Sequence, residues 1–462
     1  MSNRWPGGLI RRTPVTPTGP FQDSVAPGMW SLADAAYWKK QNLWPTQGIL
    51  PIWIGLLGNT GTGEDYGGTI RVAASGAVYA NIQGTRSGSS EAYTVKFTPT
   101  GDISWQVYFN GAGSDYPSGL ALDSSENVYT TAGLDIGSSN IDTYLFTLDS
   151  SGAGQLGRRL SGVSSEQAGG VAVDSSGNFY VGSEGAFSPN FYKQAIVVKY
   201  NSSGTVQWQR SMEFGDAGTN AVAVDGSGNV YITGIYFRIN TPTGFIAKLN
   251  SSGVLQWSRA TPSGYGRFSD IAVTSSGVVY TIGYTHPTGI SNPTQLELNK
   301  FDTNGNNLWT RAITRGGSSF YVSGSGIALD SSENVYVCGT ANSNILIAQY
   351  DSSGNIQFQR SITYSGGASN GGGMAVDGTY MYITGYAAVS GRGNDAVVAK
   401  LPKDGSATGT YGTWTYATSS FTTTGGAGVS SSSLSSTSNT LTSSSFTTTP
   451  TTGALSLTLT RL

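Results

Sequence analysis

Few side chains in this 462-residue chain are equipped for catalysis. There is one histidine, His286, and one cysteine, Cys338. His286 sits in a Gly/Pro-rich stretch, GYTHPTGISNPT (283–294), with no serine or cysteine nucleophile motif beside it. We read it as an exposed loop histidine rather than a general base. A single histidine also excludes a histidine-based metal cluster. Cys338 lies in a predicted strand and reads as a small buried core residue, with no second cysteine to pair with. Aspartates recur as Asp123, Asp174, Asp225, Asp330 and Asp377, each just before a turn, with Ala73 and Thr274 at the two remaining equivalent positions. A catalytic carboxylate need not recur at intervals, whereas a turn-forming one does, because its oxygens accept local backbone N–H groups. Lysines recur as Lys96, Lys199, Lys248, Lys300 and Lys400. They are expected to be solvated or packed against neighbouring units, or to pair with such an aspartate, as Lys199 with Asp174. Asp302, Asn304 and Asn306 resemble the start of a calcium loop, but the acidic residues at its far end are missing. The glycine-rich stretches lack the Lys-Ser/Thr ending of a phosphate loop. We therefore expect no catalytic residue, no metal site and no cofactor.

One constellation is suited to recognition. Three successive long loops are aromatic: GSEGAFSPNFYKQ (182–194), GIYFRINTPT (234–243) and GYTHPTGISNPT. Phe187, Phe191, Tyr192, Tyr236, Phe237 and Tyr284 are candidate ligand- or receptor-binding residues, since exposed rings stack on sugars or fill a partner's pockets.

The elements that carry these loops repeat. The stretch 170–210 reads as four short strands joined by the turns DSSG and NSSG. Val, Ile, Tyr and Trp suit a pleated, half-buried surface, and Asp, Asn, Ser and Gly suit the turns. The first hairpin recurs with tyrosines at Tyr79, Tyr129, Tyr180, Tyr231, Tyr280, Tyr336 and Tyr382. The second hairpin is expected to follow each time, marked on its last strand by Trp105, Trp208, Trp257, Trp309, Phe358 and Trp414, with Leu156 in the degenerate second copy. Seven four-stranded units at a period of about 50 residues predict an all-β, seven-bladed β-propeller of antiparallel blades over 51–418. The segment WIGLLGNTGTGEDYGGTI aligns with WQVYFNGAGSDYPSGLAL (105–122). It therefore adds a surplus fourth strand, 52–57, before the first full repeat. That strand is expected to complete the last blade beside 396–401 and close the ring. The units resemble the SBBP family of β-propeller repeats, whose signature runs close to AVDSSGNVYVTG…AFVAKLNSSGTLQW. The resemblance covers residues ~52–418 and implies a fold, not a chemistry.

Charged residues make up 11% of the chain and the net charge is −2, which gives no support for nucleic-acid binding. No apolar run is long enough to span a membrane, and the N-terminus has no apolar core of a signal peptide. Residues 1–50 form an extended, Pro-rich arm with a short helix expected over 32–42, capped by Ser31. Its Trp5, Leu9, Ile10, Phe21, Trp30 and Trp38 suit docking on another protein. The pattern RWPGG…TP…GP…APGMWSL…WP within 4–45 resembles an N-terminus shared by structural proteins of marine tailed bacteriophages. That resemblance implies an anchor. Residues 419–462 are almost entirely Ser, Thr and Gly. Composition alone predicts disorder, although Leu455, Leu457 and Leu459 alternate with polar residues as in a strand.

Together these features lead us to expect a non-enzymatic virion structural protein, assembled in the host cytoplasm, as a capsid decoration, fibre or tail-associated component. Its expected partners are other virion proteins through residues 1–50, a host-surface glycan or protein, and further copies of itself on the particle. A bacterial surface or secreted adhesin is the alternative, and a propeller-scaffold glycosidase or lyase a more distant one.

Overall fold

The computed structural model describes residues 52–58, 62–137, 140–161, 165–186, 193–213, 216–238, 241–261, 266–286, 294–314, 321–419 and 421–425. It also describes the short segments 430–431, 435–438, 442–445, 451–452 and 456–461. The predicted helix 32–42 and the arm residues Trp5, Leu9, Ile10, Phe21, Trp30 and Trp38 lie outside them.

The described residues form seven antiparallel sheets. Blade I is Tyr66–Val72, Val78–Arg86, Ser89–Phe97 and Ile103–Phe109. Blade II is Tyr116–Leu122, Val128–Asp135, Ile141–Leu148 and Gly154–Ser161. Blade III is Ala168–Val173, Phe179–Ala186, Lys193–Tyr200 and Val206–Glu213. Blade IV is Ala217–Val224, Val230–Arg238, Thr241–Leu249 and Leu255–Ala260. Blade V is Gly266–Val273, Val279–Thr285, Gln295–Phe301 and Asn307–Thr314. Blade VI is Val322–Leu329, Val335–Ala341, Asn344–Tyr350 and Ile356–Tyr364. Blade VII is Ser369–Val376, Tyr380–Val389 and Gly393–Pro402, with Trp53–Gly58 as its fourth strand. The middle strands are buried on both faces, as in Val335–Ala341, which is buried at every position. Apolar side chains from adjoining blades pack in shared clusters, so no blade has a core of its own.

A repeated staple holds each blade to the next. Trp208 of blade III lies against Gly253 in a turn of blade IV, where an added Cβ would sit 2.8 Å from the indole. Gly253 has φ +78°, so both the conformation and the contact require glycine. The indole Nε1 of Trp208 donates to Ser251 O (3.0 Å), Lys199 Nζ donates to the same oxygen (3.4 Å), and Arg210 Nε donates to Gly253 O (2.8 Å). The same set recurs with Trp105 and Lys96 on Ser150 O, Trp257 and Lys248 on Thr303 O, and Trp309 and Lys300 on Ser352 O. Lys199 therefore bonds a neighbouring blade and lies over the Tyr180 ring. It does not pair with Asp174, whose Oδ2 accepts the Tyr180 hydroxyl instead (3.0 Å).

The surplus N-terminal strand closes the ring. Trp53 lies opposite Lys400, the register in which Trp208 faces Lys199. Its indole meets Gly101 of blade I, and Lys400 Nζ donates to Pro99 O (3.0 Å). Trp53 thus takes the place in blade VII that the repeat pattern assigns to Trp414. Trp414 instead belongs to Trp414–Thr418, a fifth strand on blade VI beside Ile356–Tyr364, where it is buried against Tyr364 (centroids 4.8 Å apart). The edge of Gly393–Pro402 that a fourth strand would take is already occupied by the N-terminal strand, and the chain after Pro402 crosses to blade VI instead.

The described segments that follow pair with the outer edges of the blades in reverse order, a belt of short strands. Thr422–Gly425 pairs with blade V, Ser430–Ser431 with blade IV, Ser435–Ser438 with blade III, Thr442–Ser445 with blade II and Thr451–Thr452 with blade I. Ser456–Arg461 then pairs with Trp53–Gly58, with Leu459 opposite Gly55. Every outer strand thereby gains a partner over part of its length, from two residues in blades I and IV to six in blade VII, which shortens the free hydrogen-bonding edge of the original blades.

Candidate functional site

The first strands of successive blades contact one another and surround a central channel. They all run the same way, so the ring has two different faces. Both turns within each blade, the Asp-Ser-Ser-Gly and Asn-Ser-Ser-Gly type, lie on one face. The loops joining second to third strands and blade to blade lie on the other. The turn face satisfies itself. Asp174 Oδ1 accepts Ser176 N and Asn178 N (2.9 Å each), and Oδ2 accepts Asn178 Nδ2 and the Tyr180 hydroxyl. Asp123, Asp225 and Asp330 repeat this pattern, and Asp377 a shorter version. Asp302 likewise accepts Asn304 N, Asn306 N and Asn306 Nδ2 within its own turn, so its oxygens close a turn. Among the described residues no group of three or more His, Cys, Asp or Glu gathers to hold a metal. Cys338 is fully buried in blade VI, and burial pushes its thiol up to about 12.

The variable face carries three of the six sequence-predicted aromatics among the described residues, Tyr236, Phe237 and Tyr284. Phe187, Phe191 and Tyr192 lie outside the described residues. Tyr236 is half-buried and leans on Phe245 (6.4 Å). Phe237, next to it, is 44% exposed. Tyr284 is half-buried, edge-on to His286 at 5.8 Å. Three further rings on this face were missed by sequence reasoning: Tyr116 and Tyr321, 43% and 53% exposed, and Tyr66, edge-on to Tyr386 at 4.8 Å. Tyr66, Tyr116 and Tyr321 stand where one blade hands over to the next. The repeated Asp-Tyr of Asp65–Tyr66 and Asp115–Tyr116 was the signal. The loops between blades open on the same face as the long loops within them.

On the variable face the channel opens into a cavity of about 390 Å³ whose lining is mainly backbone and small polar side chains. On the turn face it widens into about 420 Å³ lined by Val72, Leu122, Val173, Val224, Val273 and Met374 among others. Arg71 lies between the two and is shared by both. Burial lowers the pKa of Arg71 and raises that of Asp270, each opposed by the attraction between them. Asp270 also accepts Ile271 N (2.8 Å) and Ile327 N (3.1 Å), and Arg71 donates to Ile70 O (2.8 Å). At the mouth, Glu184 pairs with Lys193 (2.5 Å). Arg267 donates to Asn220 Oδ1 (2.9 Å), and Asn220 Nδ2 donates to Phe268 O (2.7 Å).

Beneath this face, between blades I and II, two carboxyl groups meet. Burial pushes Glu91 up to about 7, and neighbouring Asp115 adds to the rise. Burial likewise lifts Asp115 to about 6, against amide hydrogen bonds from Gly111 (2.5 Å) and Asp135 (2.9 Å).

The model of the SBBP β-propeller repeat matches residues 308–347, from the last strand of blade V into the third strand of blade VI. No curated protein matches the chain. Among solved structures, a protein of unknown function from Dyadobacter fermentans DSM 18053 is similar at 11% identity and TM-score 0.46, over 76% of this chain and 98% of that one. The polysaccharide lyase Uly1 is similar at 11% identity and TM-score 0.46, over 73% and 90%. Regucalcin, a calcium-binding protein from Agrobacterium tumefaciens str. C58, is similar at 11% identity and TM-score 0.35, over 62% and 90%.

Proposed function

We propose that this chain is a non-enzymatic structural and display component of a tailed-bacteriophage virion. Residues 1–50 dock on another virion protein, and the propeller presents its variable face to the host surface. The observation that carries the display part is the asymmetry between the two faces. One is a set of near-identical turns whose polar groups are consumed locally. The other has loops of unequal length, exposed Tyr116, Phe237 and Tyr321, and a polar channel mouth. Loops on a rigid scaffold are where binding residues concentrate. The virion part rests on the Trp/Pro/Gly pattern of the arm.

Peptide mass spectrometry of purified virions is expected to find this chain, and its absence would end the virion reading. For display, the purified chain is expected to adsorb to host cells. The double variant Phe237→Ala, Tyr321→Ala is expected to lower that adsorption by about tenfold or more, as for loss of hot-spot rings. Unchanged adsorption with an intact fold would remove the aromatic rim from the reading.

A further inference from the structure

We propose that the channel mouth on the variable face binds an acidic sugar, with the guanidinium of Arg267 taking its carboxylate. The proposal deepens the display reading and rests on it only for the surface that would carry the sugar.

Charge at the mouth argues for a single acidic group. Glu184 pairs with Lys193, and Asp270 lines the same cavity as Arg71, whose charge attracts it, while accepting two backbone amides. Arg267 is exposed, and among the described residues no carboxylate lies within ion-pair distance of it. One of its N–H groups is committed to Asn220, whose own amide is pinned by Phe268 O. This contact orients the planar group, and no described hydrogen bond takes its other donors, the arrangement suited to two-point carboxylate binding.

The neutral lining argues for a sugar. Gln167, Ser269 and Ser325 line the same cavity, and no described hydrogen bond engages their side-chain polar atoms. Each both donates and accepts. Sulfate offers acceptors alone, and inorganic phosphate at neutral pH carries only one or two hydroxyl donors, so neither matches several accepting groups. An amino acid would need an unneutralised carboxylate for its ammonium group, which the described mouth lacks. A ligand with one carboxylate and several hydroxyls uses every group present. Tyr284 stands opposite Arg267 in the strand register but does not line the cavity, so the recognition rests on the guanidinium and the neutral polar groups. A volume of about 390 Å³ falls at the small end of ligand sites, which run from about 300 to 1,000 Å³.

The test is titration of the full chain with sodium glucuronate, glucose and inorganic phosphate, read by saturation-transfer NMR and calorimetry. Glucuronate is expected to bind saturably and about tenfold more tightly than glucose, the order of one charge-assisted contact. Arg267→Gln is expected to bring glucuronate down to the level of glucose while glucose is unaffected, and Arg267→Lys to restore part of the difference. Equal binding of the two sugars by the wild type would overturn the proposal. So would an Arg267→Gln variant that keeps the preference, or phosphate displacing glucuronate as well as glucuronate itself does. A glucuronate signal lost in Arg267→Gln supports the site whether or not virions carry the chain. Equal binding overturns the site even if they do.

Discussion

At the scale of single residues, the same side-chain types do different work according to their face of the ring. Tryptophan, lysine and arginine on the turn side are consumed by the staple. Each of these groups donates to a turn carbonyl of the next blade. At the junction from blade II to blade III, Leu156 replaces tryptophan, Thr147 replaces lysine, and Arg158 keeps its bond to Gly204 O (2.7 Å); at that from blade VI to blade VII, Phe358 and Gln349 stand in those places and Arg360 donates to Gly405 O (2.7 Å). The buried carboxyls give a pH prediction. Glu91 has a folded pKa of about 7, above its ordinary 4.5. Its contribution to stability is therefore full below about pH 4.5 and lost as pH rises through about 7. Glu91→Gln keeps a donor toward Asp115 and removes the charge. It is expected to raise Tm at pH 8 by about 1–3 °C and to change little at pH 4.5, on the order of 2 kcal/mol or less. A Tm difference that is the same at both pH values would reject this account. Turn aspartates such as Asp149, Asp302 and Asp351 are held below their ordinary value by their hydrogen bonds. They pull the other way, with stability lost only as pH falls further, below the ordinary carboxylate range.

At the scale of elements, the strand Trp53–Gly58 matters most. It occupies the gap between Gly393–Pro402 and the C-terminal strand Ser456–Arg461, and Trp53 staples blade VII to blade I. Removing residues 1–58 takes away a buried strand, opens an edge and strands the last belt segment. That truncation is expected to lower Tm by roughly 5 °C or more, or to aggregate. Removing residues 1–48 leaves the strand in place and is expected to melt like the full chain. Identical melting of both truncations, followed by calorimetry and light scattering, would show that the ring does not depend on this strand.

At the scale of the whole molecule, the ring is held twice: by interleaving of the N-terminal strand and by a C-terminal belt whose described strands pair with every blade but VI, which Trp414–Thr418 covers. The belt strands are two to six residues long, and most are Ser and Thr. They add backbone hydrogen bonds, each worth about 0.5–1.5 kcal/mol net, rather than apolar burial. Deleting residues 420–462 is expected to leave a closed seven-bladed ring whose outer strands are bare. Tm should fall by a few degrees, and hydrogen exchange should speed up in the outer strands, such as Val206–Glu213, while the middle strands stay protected. Unchanged exchange in the outer strands would mean that the belt does not cover them in solution.

The sequence by itself determined the architecture, because a repeated two-hairpin pattern can bury its faces in few ways. The tyrosine spacing set seven blades, the turn aspartates declared themselves by recurring, and the surplus strand at 52–57 required a gap to fill. Three things were decided only by tertiary structure. Trp414 carries the mark of a fourth strand, but that edge of blade VII is taken by Trp53–Gly58 from the other end of the chain. The Ser/Thr tail has little periodicity because backbone pairing with a preformed edge needs none. The channel mouth is assembled from residues as far apart as Gly68, Glu184, Arg267 and Gly373. No local pattern links them, since closure of the ring alone brings the first strands, and the end of the second strand that carries Glu184, together around one axis.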